Sequence, residues 1–202
     1  MRRNFRYMAA LWTAVCLGAG APGAAYAQET AAAGEQTGTV RYEQGSYVVG
    51  RDIPAGEYAV FAKPGEDANP YRTCNFTLYK DDSDEKRIGT FSFEHHGLVA
   101  LYNGQHLKLR SGWAVPASEA GLSLAPYGMY LAGRDMEPGS YLVSPLTSEG
   151  GYYALYNDVR YYYDYQDDYR RFLEPTVITV AEGQYLELGN AASIVKLDGG
   201  EE

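Results

Sequence analysis

The sequence predicts an all-β protein, built as two tandem small β-sandwich (or partly open barrel) repeats behind a cleaved signal peptide. Three observations carry this. Residues 47–60 return 83 residues later, at 130–143, with Tyr, Gly, Arg, Asp, Gly, Tyr and Val identical and no gap. Self-similarity that dense marks a tandem duplication. From Tyr42 onward, short runs rich in Val, Tyr, Leu and Phe are punctuated by Gly, Pro, Asn and Asp. No stretch sustains a 3.6-residue apolar period, whereas two-residue alternation recurs, as in Tyr58, Val60 and Ala62 against Ala59 and Phe61.

In chain order, residues 1–27 read as a signal peptide. Arg2, Arg3 and Arg6 precede a short apolar run from Met8 to Leu17, and Ala25-Tyr26-Ala27 has the A-x-A form of a cleavage site. The run is too short to span a membrane, and no later stretch is long enough, so no transmembrane segment is expected. The chain is therefore expected to be exported, secreted or in the periplasm or cell envelope. Removing the three arginines leaves 14 basic side chains against 26 acidic, a net charge of −12. A surface so acidic repels phosphate backbones and excludes nucleic acid as a partner. It also leaves Cys74 as the single cysteine, so no internal disulfide can form. Cys74 reads as a small, half-buried apolar residue.

Residues 28–40 are small and polar, a disordered lead-in. Repeat one covers 41–118, a linker 119–126, and repeat two 127–202 with an acidic tail. Strands are expected near Ser46–Val49, Gly56–Ala62, Cys74–Lys80, Ile88–Phe93, Gly97–Tyr102, His106–Arg110 and Trp113–Pro116. The second copy follows with Met129–Ala132, Gly139–Ser144, Tyr152–Asn157, Tyr169–Leu173, Val177–Val180, Tyr185–Leu188 and Ser193–Leu197. Gly104-Gln105-His106-Leu107 pairs with Gly183-Gln184-Tyr185-Leu186 at an offset of 79. A core of 75–80 residues is marginal without disulfides, so the copies gain by sharing buried surface, although two tandem domains are favoured over one fused sandwich.

Both copies keep Gly-Arg-Asp-x-x-x-Gly-x-Tyr between two strands. Asp52 and Asp135 suit an Asx-type turn, Pro54 and Pro138 pre-set φ, and Gly56 and Gly139 supply positive φ. Arg51/Asp52 and Arg134/Asp135 are expected on opposite sides of the strand, poor geometry for joint catalysis. Gly50-Arg51-Asp52-Ile53-Pro54-Ala55-Gly56-Glu57-Tyr58 resembles the D-I-x-x-G-x-Y repeat of uncharacterised exported or envelope proteins of bacteria. The resemblance covers both copies, roughly Tyr42 to Asp198, and implies a small all-β module with no catalytic activity attached.

The copies differ most at one hairpin tip. Copy one has Asp81-Asp82-Ser83-Asp84-Glu85-Lys86-Arg87, and copy two has the tyrosine-rich run from Asp158 to Asp168. Tyr161, Tyr162, Tyr163, Tyr165 and Tyr169 are the expected ligand-binding residues, because clustered exposed tyrosines offer flat apolar faces with polar edges. The acidic residues Asp81, Asp82, Asp84, Glu85, Asp164, Asp167 and Asp168 lack the spacing of a calcium loop and read as a solvated tip. Glu94-His95-His96 with His106 is at most a fragment of a zinc site. No metal, cofactor or catalytic residue is expected, and no nucleophile, metalloprotease or phosphate-loop motif occurs. The expected function is an exported, non-catalytic binding or scaffold protein whose partner is a polysaccharide or an envelope protein. A protein–protein adaptor or structural envelope component is the alternative, and an acidic-residue hydrolase the outside one.

Overall fold

The computed structural model describes residues 39–63, 73–160 and 165–197. The first half runs β1 (Gly45–Val48), β2 (Gly56–Phe61), β3 (Thr73–Tyr79), β4 (Arg87–Glu94), β5 (His96–Leu101), β6 (His106–Ser111) and β7 (Trp113–Pro116). The second runs β8 (Gly128–Leu131), β9 (Gly139–Pro145), β10 (Gly151–Tyr156), β11 (Gln166–Phe172), β12 (Thr176–Val180), β13 (Tyr185–Gly189) and β14 (Ala191–Lys196). A single turn of 3-10 helix, Ala117–Glu119, opens the connection between them, and the described residues contain no α-helix. Every apolar run read from the sequence is a strand. The largest boundary difference is β11, which begins at Gln166 because its acidic start pairs with Leu155 and Tyr156 through a β-bulge.

The strands form four open antiparallel sheets, ordered β1-β6-β3-β4, β5-β2-β7, β11-β10-β13-β8 and β12-β9-β14. Raising each strand number of the first half by seven gives the order in the second.

The register shows how the sheets stack. In β1-β6-β3-β4, Tyr47, Leu107 and Leu78 lie in one row, and Leu109, Phe76 and Phe91 in the next. They face the core, while the alternate residues Ser46, Lys108, Thr77 and Thr90 face the other way, Thr77 being buried where Arg110 Nε donates to its hydroxyl. This is the apolar-in, polar-out pattern of a sheet with one wet side. The sheet β5-β2-β7 has no wet side. Tyr58, Val60 and Val99 pack toward the first sheet, where a Cβ on Gly97 would strike the Phe93 ring. On the other face, Ala59, Leu98 and Val115 form a buried row.

That second face is covered by the second half. Met129, Ala154, Tyr156 and Val159 belong to the same apolar cluster as the first-half core. In β11-β10-β13-β8, Ala154, Tyr156 and Met129 face this shared interior, while Tyr153, Leu155, Leu186, Leu188 and Tyr130 face the second core with Tyr141, Val143 and Ile178. The result is four sheets in layers, with the inner two buried on both faces apart from the exposed edge strand β11, and Gly38–Glu202 forms one compact unit.

Corners between layers fall where L-residues are strained or glycine is required. The chain leaves β6 for β7 at Gly112, φ +98°, where a Cβ would sit 1.9 Å from the Phe61 carbonyl oxygen. The corresponding corner between β13 and β14 is Asn190, φ +53°, a residue type tolerated in the left-handed region.

Leu98 lies in the shared interior with no exposed surface. Leu98→Ala is expected to destabilise the chain by about 2–5 kcal/mol. Because the halves share that interior, urea unfolding followed by circular dichroism and tyrosine fluorescence should remain one coincident transition. Two separate transitions would show the halves to be independent.

Candidate functional site

The repeated motif is a turn held by its own side chains. Asp52 Oδ2 accepts the Val48 N–H at 2.9 Å, and Asp135 Oδ2 accepts the Leu131 N–H at 2.9 Å. The Gly50 and Gly133 N–H groups donate to Ile53 and Met136 carbonyls. Both glycines sit at φ above +90°, which explains their retention. Tyr58 and Tyr141 close the turn by donating to the Pro54 and Glu137 carbonyls. The expectation that Arg and Asp point apart is wrong, because both sit in the turn and not on a strand. The Arg51 guanidinium forks onto Asp52 at 3.1 and 3.0 Å, and Arg134 onto Asp135 at 2.8 Å twice. These forks hold each carboxylate in place to accept the turn N–H.

In the second copy the fork reaches further. Arg134 Nη1 also donates to Glu57 Oε1 of the first half at 2.6 Å, and the Tyr185 hydroxyl donates to Glu57 Oε2 at 2.6 Å. The Asp135 and Glu57 carboxylates push the Arg134 pKa up, and burial with the Glu57 bond pushes Tyr185 up. Asn190 N–H donates to Glu94 Oε2 at 2.9 Å, another contact between halves. Glu187 is buried in the shared interior, its carboxyl accepting from Tyr152 at 3.0 Å and Tyr156 at 2.7 Å. Burial raises its pKa above the usual carboxylate range.

The expected tyrosine cluster is only partly within view. Tyr161, Tyr162 and Tyr163 lie outside the described residues, as does Asp164. Tyr169 is half exposed on β11, an outer strand of its sheet, with its ring 6.0 Å from Tyr152. Tyr165 is partly buried beneath Arg160, whose guanidinium carbon lies 5.0 Å from the ring centre. The hairpin does not simply project into water. Val159 is fully buried in the first-half core, and its carbonyl accepts the Ala100 N–H at 3.1 Å. Arg160 also lies 5.9 Å from the ring of Tyr102, a first-half tyrosine not singled out in the sequence. Tyr102 follows an ordinary apolar strand, so only its high exposure marks it.

The other sequence candidates are used in structure. Asp84 pairs with His106 at 2.6 Å and with Lys108, and Asp81 pairs with Lys86 at 3.3 Å. Glu94 and His96 do not share a strand face, because His95 at φ +60° is the corner between β4 and β5. Among the described residues, no three His, Cys, Asp or Glu side chains converge in a way that would hold a metal. Cys74 is fully buried, not half-buried, and burial pushes its thiol up to about 12, so it is inert at neutral pH.

Among the described residues, two clefts bear on the candidate residues. One of about 390 Å³ lies beside the linker, lined by Phe61, His95, His96, Ser123, Tyr127 and Tyr130. His95 stacks on Tyr127 at 3.6 Å, and His96 Nε2 donates to the Met129 carbonyl at 2.9 Å. The other, about 470 Å³, lies at the second motif turn around Arg134, Glu137 and Glu182. No family model matches the chain, and no curated protein or solved structure matches it either.

Burial lowers the His96 pKa from 6.5 to about 4. The unfolded chain therefore takes up this proton before the folded one does, so stability is lost as pH falls from about 6.5 to about 4, by roughly 3 kcal/mol at most. Glu187 acts with opposite sign: its raised pKa contributes stability at low pH that is lost as pH rises through the folded value. Urea titrations across pH 4–8 should show His96→Gln flattening the acid-side loss and Glu187→Gln flattening the loss on the alkaline side. Slopes identical to those of the native chain would show that neither group is coupled to folding.

Proposed function

We propose that this chain is an exported, non-catalytic binding module that takes a polysaccharide on the tyrosine-rich side of its β10–β11 hairpin. Its described residues are Tyr165 and Tyr169, and Tyr161, Tyr162 and Tyr163 of the same run are assigned to it from the sequence alone. The observation that supports it most directly is Tyr169, 50% exposed on an outer strand and backed by the Tyr152 ring. A tyrosine held in place on one side and open on the other loses little conformational entropy when a ring stacks on it. Export rests on the basic start, apolar run and A-x-A site of residues 1–27, and among the described residues no helix is long and apolar enough to cross a membrane. The net charge of −12 disfavours nucleic acid and anionic lipid.

A second reading, a protein–protein adaptor of the envelope, is favoured by one feature of the outermost sheet. Val177, Leu142 and Val195 lie in register across β12-β9-β14, and Val177 and Val195 are 56% and 55% exposed. The matching row of the first half, Leu98, Ala59 and Val115, is buried beneath the second half. A face that carries an interface in one copy is open in the other.

Native gels of the chain from Gln28 onward, cast with soluble cell-wall and plant polysaccharides, test the first reading. The native chain should be retarded, and a variant with Tyr161, Tyr162, Tyr163 and Tyr165 changed to Ser should lose at least tenfold in affinity. The adaptor reading predicts instead concentration-dependent association, seen by light scattering and abolished by Val177→Asp with Val195→Asp.

A further inference from the structure

We propose that the sugar surface is composite: Tyr102 of the first half joins Asp158, Arg160 and Tyr165 of the second in a subsite for a neutral pyranose with adjacent hydroxyls. This rests on the polysaccharide reading and specifies where one ring of that polymer sits and what chemistry it must carry.

The junction is pinned by burial. Val159 is fully enclosed in the first-half core and bonded through its carbonyl to Ala100, which fixes the residues on either side of it against the end of β5. Tyr102 lies just beyond that end. Arg160 is then held by Asp158 through Nε at 2.7 Å and Nη2 at 2.6 Å, while Asp158 Oδ1 accepts the Arg160 N–H at 2.8 Å. The fixed guanidinium lies within 6 Å of two tyrosine rings, 5.9 Å from Tyr102 and 5.0 Å from Tyr165.

The fold does not require an aromatic residue at 102. The turn there is held by Gln105, whose Oε1 accepts the Tyr102 N–H at 2.8 Å. The matching turn of the second half is held in the same way by Gln184, and the residue at that position is Ala181, with its N–H 2.9 Å from Oε1. Tyr102 is nonetheless 46% exposed, a large apolar ring in water that the turn itself does not use.

Chemically, the four side chains supply what a pyranose needs. The exposed Tyr102 ring presents a face for the C–H side of a sugar ring, with the partly buried Tyr165 ring beside it under Arg160. The Asp158 carboxylate accepts hydroxyl protons, and the Arg160 plane donates to hydroxyl oxygens, a fork matched to neighbouring hydroxyls. The Arg160–Asp158 pair carries no net charge, and the chain as a whole is acidic, so a neutral sugar is favoured over a uronate.

The test uses the full mature chain with xylan, galactomannan and dextran as neutral probes and polygalacturonate as the anionic one. Tyr102→Ala should weaken binding to a neutral polymer on the order of tenfold with an unchanged melting temperature, as expected where the second half carries Ala181. Tyr102→Phe should retain binding, because the stacking face is kept. If Tyr102→Ala binds like the native chain while the Tyr161, Tyr162, Tyr163 and Tyr165 variant does not, the composite site is overturned and the tyrosine surface stands. Binding to polygalacturonate alone would overturn the neutral class. Binding to no probe by the native chain would overturn both.

Discussion

Two of the four sheets are enclosed on both faces except along the edge strand β11, and the rest of the molecule follows from that constraint. β5-β2-β7 buries Val60 on one side and Leu98 on the other, and β11-β10-β13-β8 buries Leu186 on one side and Ala154 on the other. A leucine-sized side chain moved from water to such an interior contributes about 1.5–3 kcal/mol. Separating the halves would forfeit this on a whole sheet face at once. A repeat of this size without a disulfide has little stability to spare, so the shared interior supplies what neither core provides alone.

That interior is not purely apolar. Glu57, Glu187 and His96 all lie in or beside it, and each is matched by named donors or acceptors: Arg134 and Tyr185 for Glu57, Tyr152 and Tyr156 for Glu187, the Met129 carbonyl for His96. Polar groups so placed add little net stability over apolar ones, yet leaving one unpaired is costly. They therefore fix register: sliding one inner sheet by a residue would strand a carboxylate and a histidine together. The same asymmetry appears between the copies. Glu57, which faces the partner half, corresponds to Ser140, which faces outward and bonds Thr179.

Most of the fold was legible because its signals are local. Two-residue alternation marks strands, and glycine, asparagine and aspartate mark the turns, so all fourteen strands could be read from one chain. Stacking was not legible, because alternation cannot say whether a continuous apolar strand such as Leu98–Leu101 meets its own sandwich or the neighbouring one. The structure answers this through β5, buried almost without a break from His96 to Leu101. Similarly, the Arg–Asp pairs were misread because strand geometry was assumed where a turn operates. At the candidate site, the tyrosine run drew attention by composition, while Tyr102 was invisible until its exposure and its distance to Arg160 were known.

The residues that distinguish one half from the other concentrate on the seam between them. Tyr102 replaces the Ala181 type of residue, and the charged tip around Asp84, tied to His106 and Lys108, is replaced by a hairpin whose Val159 enters the neighbouring core. Two halves with matching sheet order need only some of these differences to bury the seam. Val159, Met129 and Glu57 serve that purpose. Tyr102 and Arg160 do not, since neither belongs to the apolar cluster: Tyr102 is half exposed and Arg160 is held by Asp158. Packing explains the first group, and the remainder are the residues of the proposed sugar subsite. The seam is thus both what joins the two halves and the place where their matching sheet order is accompanied by different side chains.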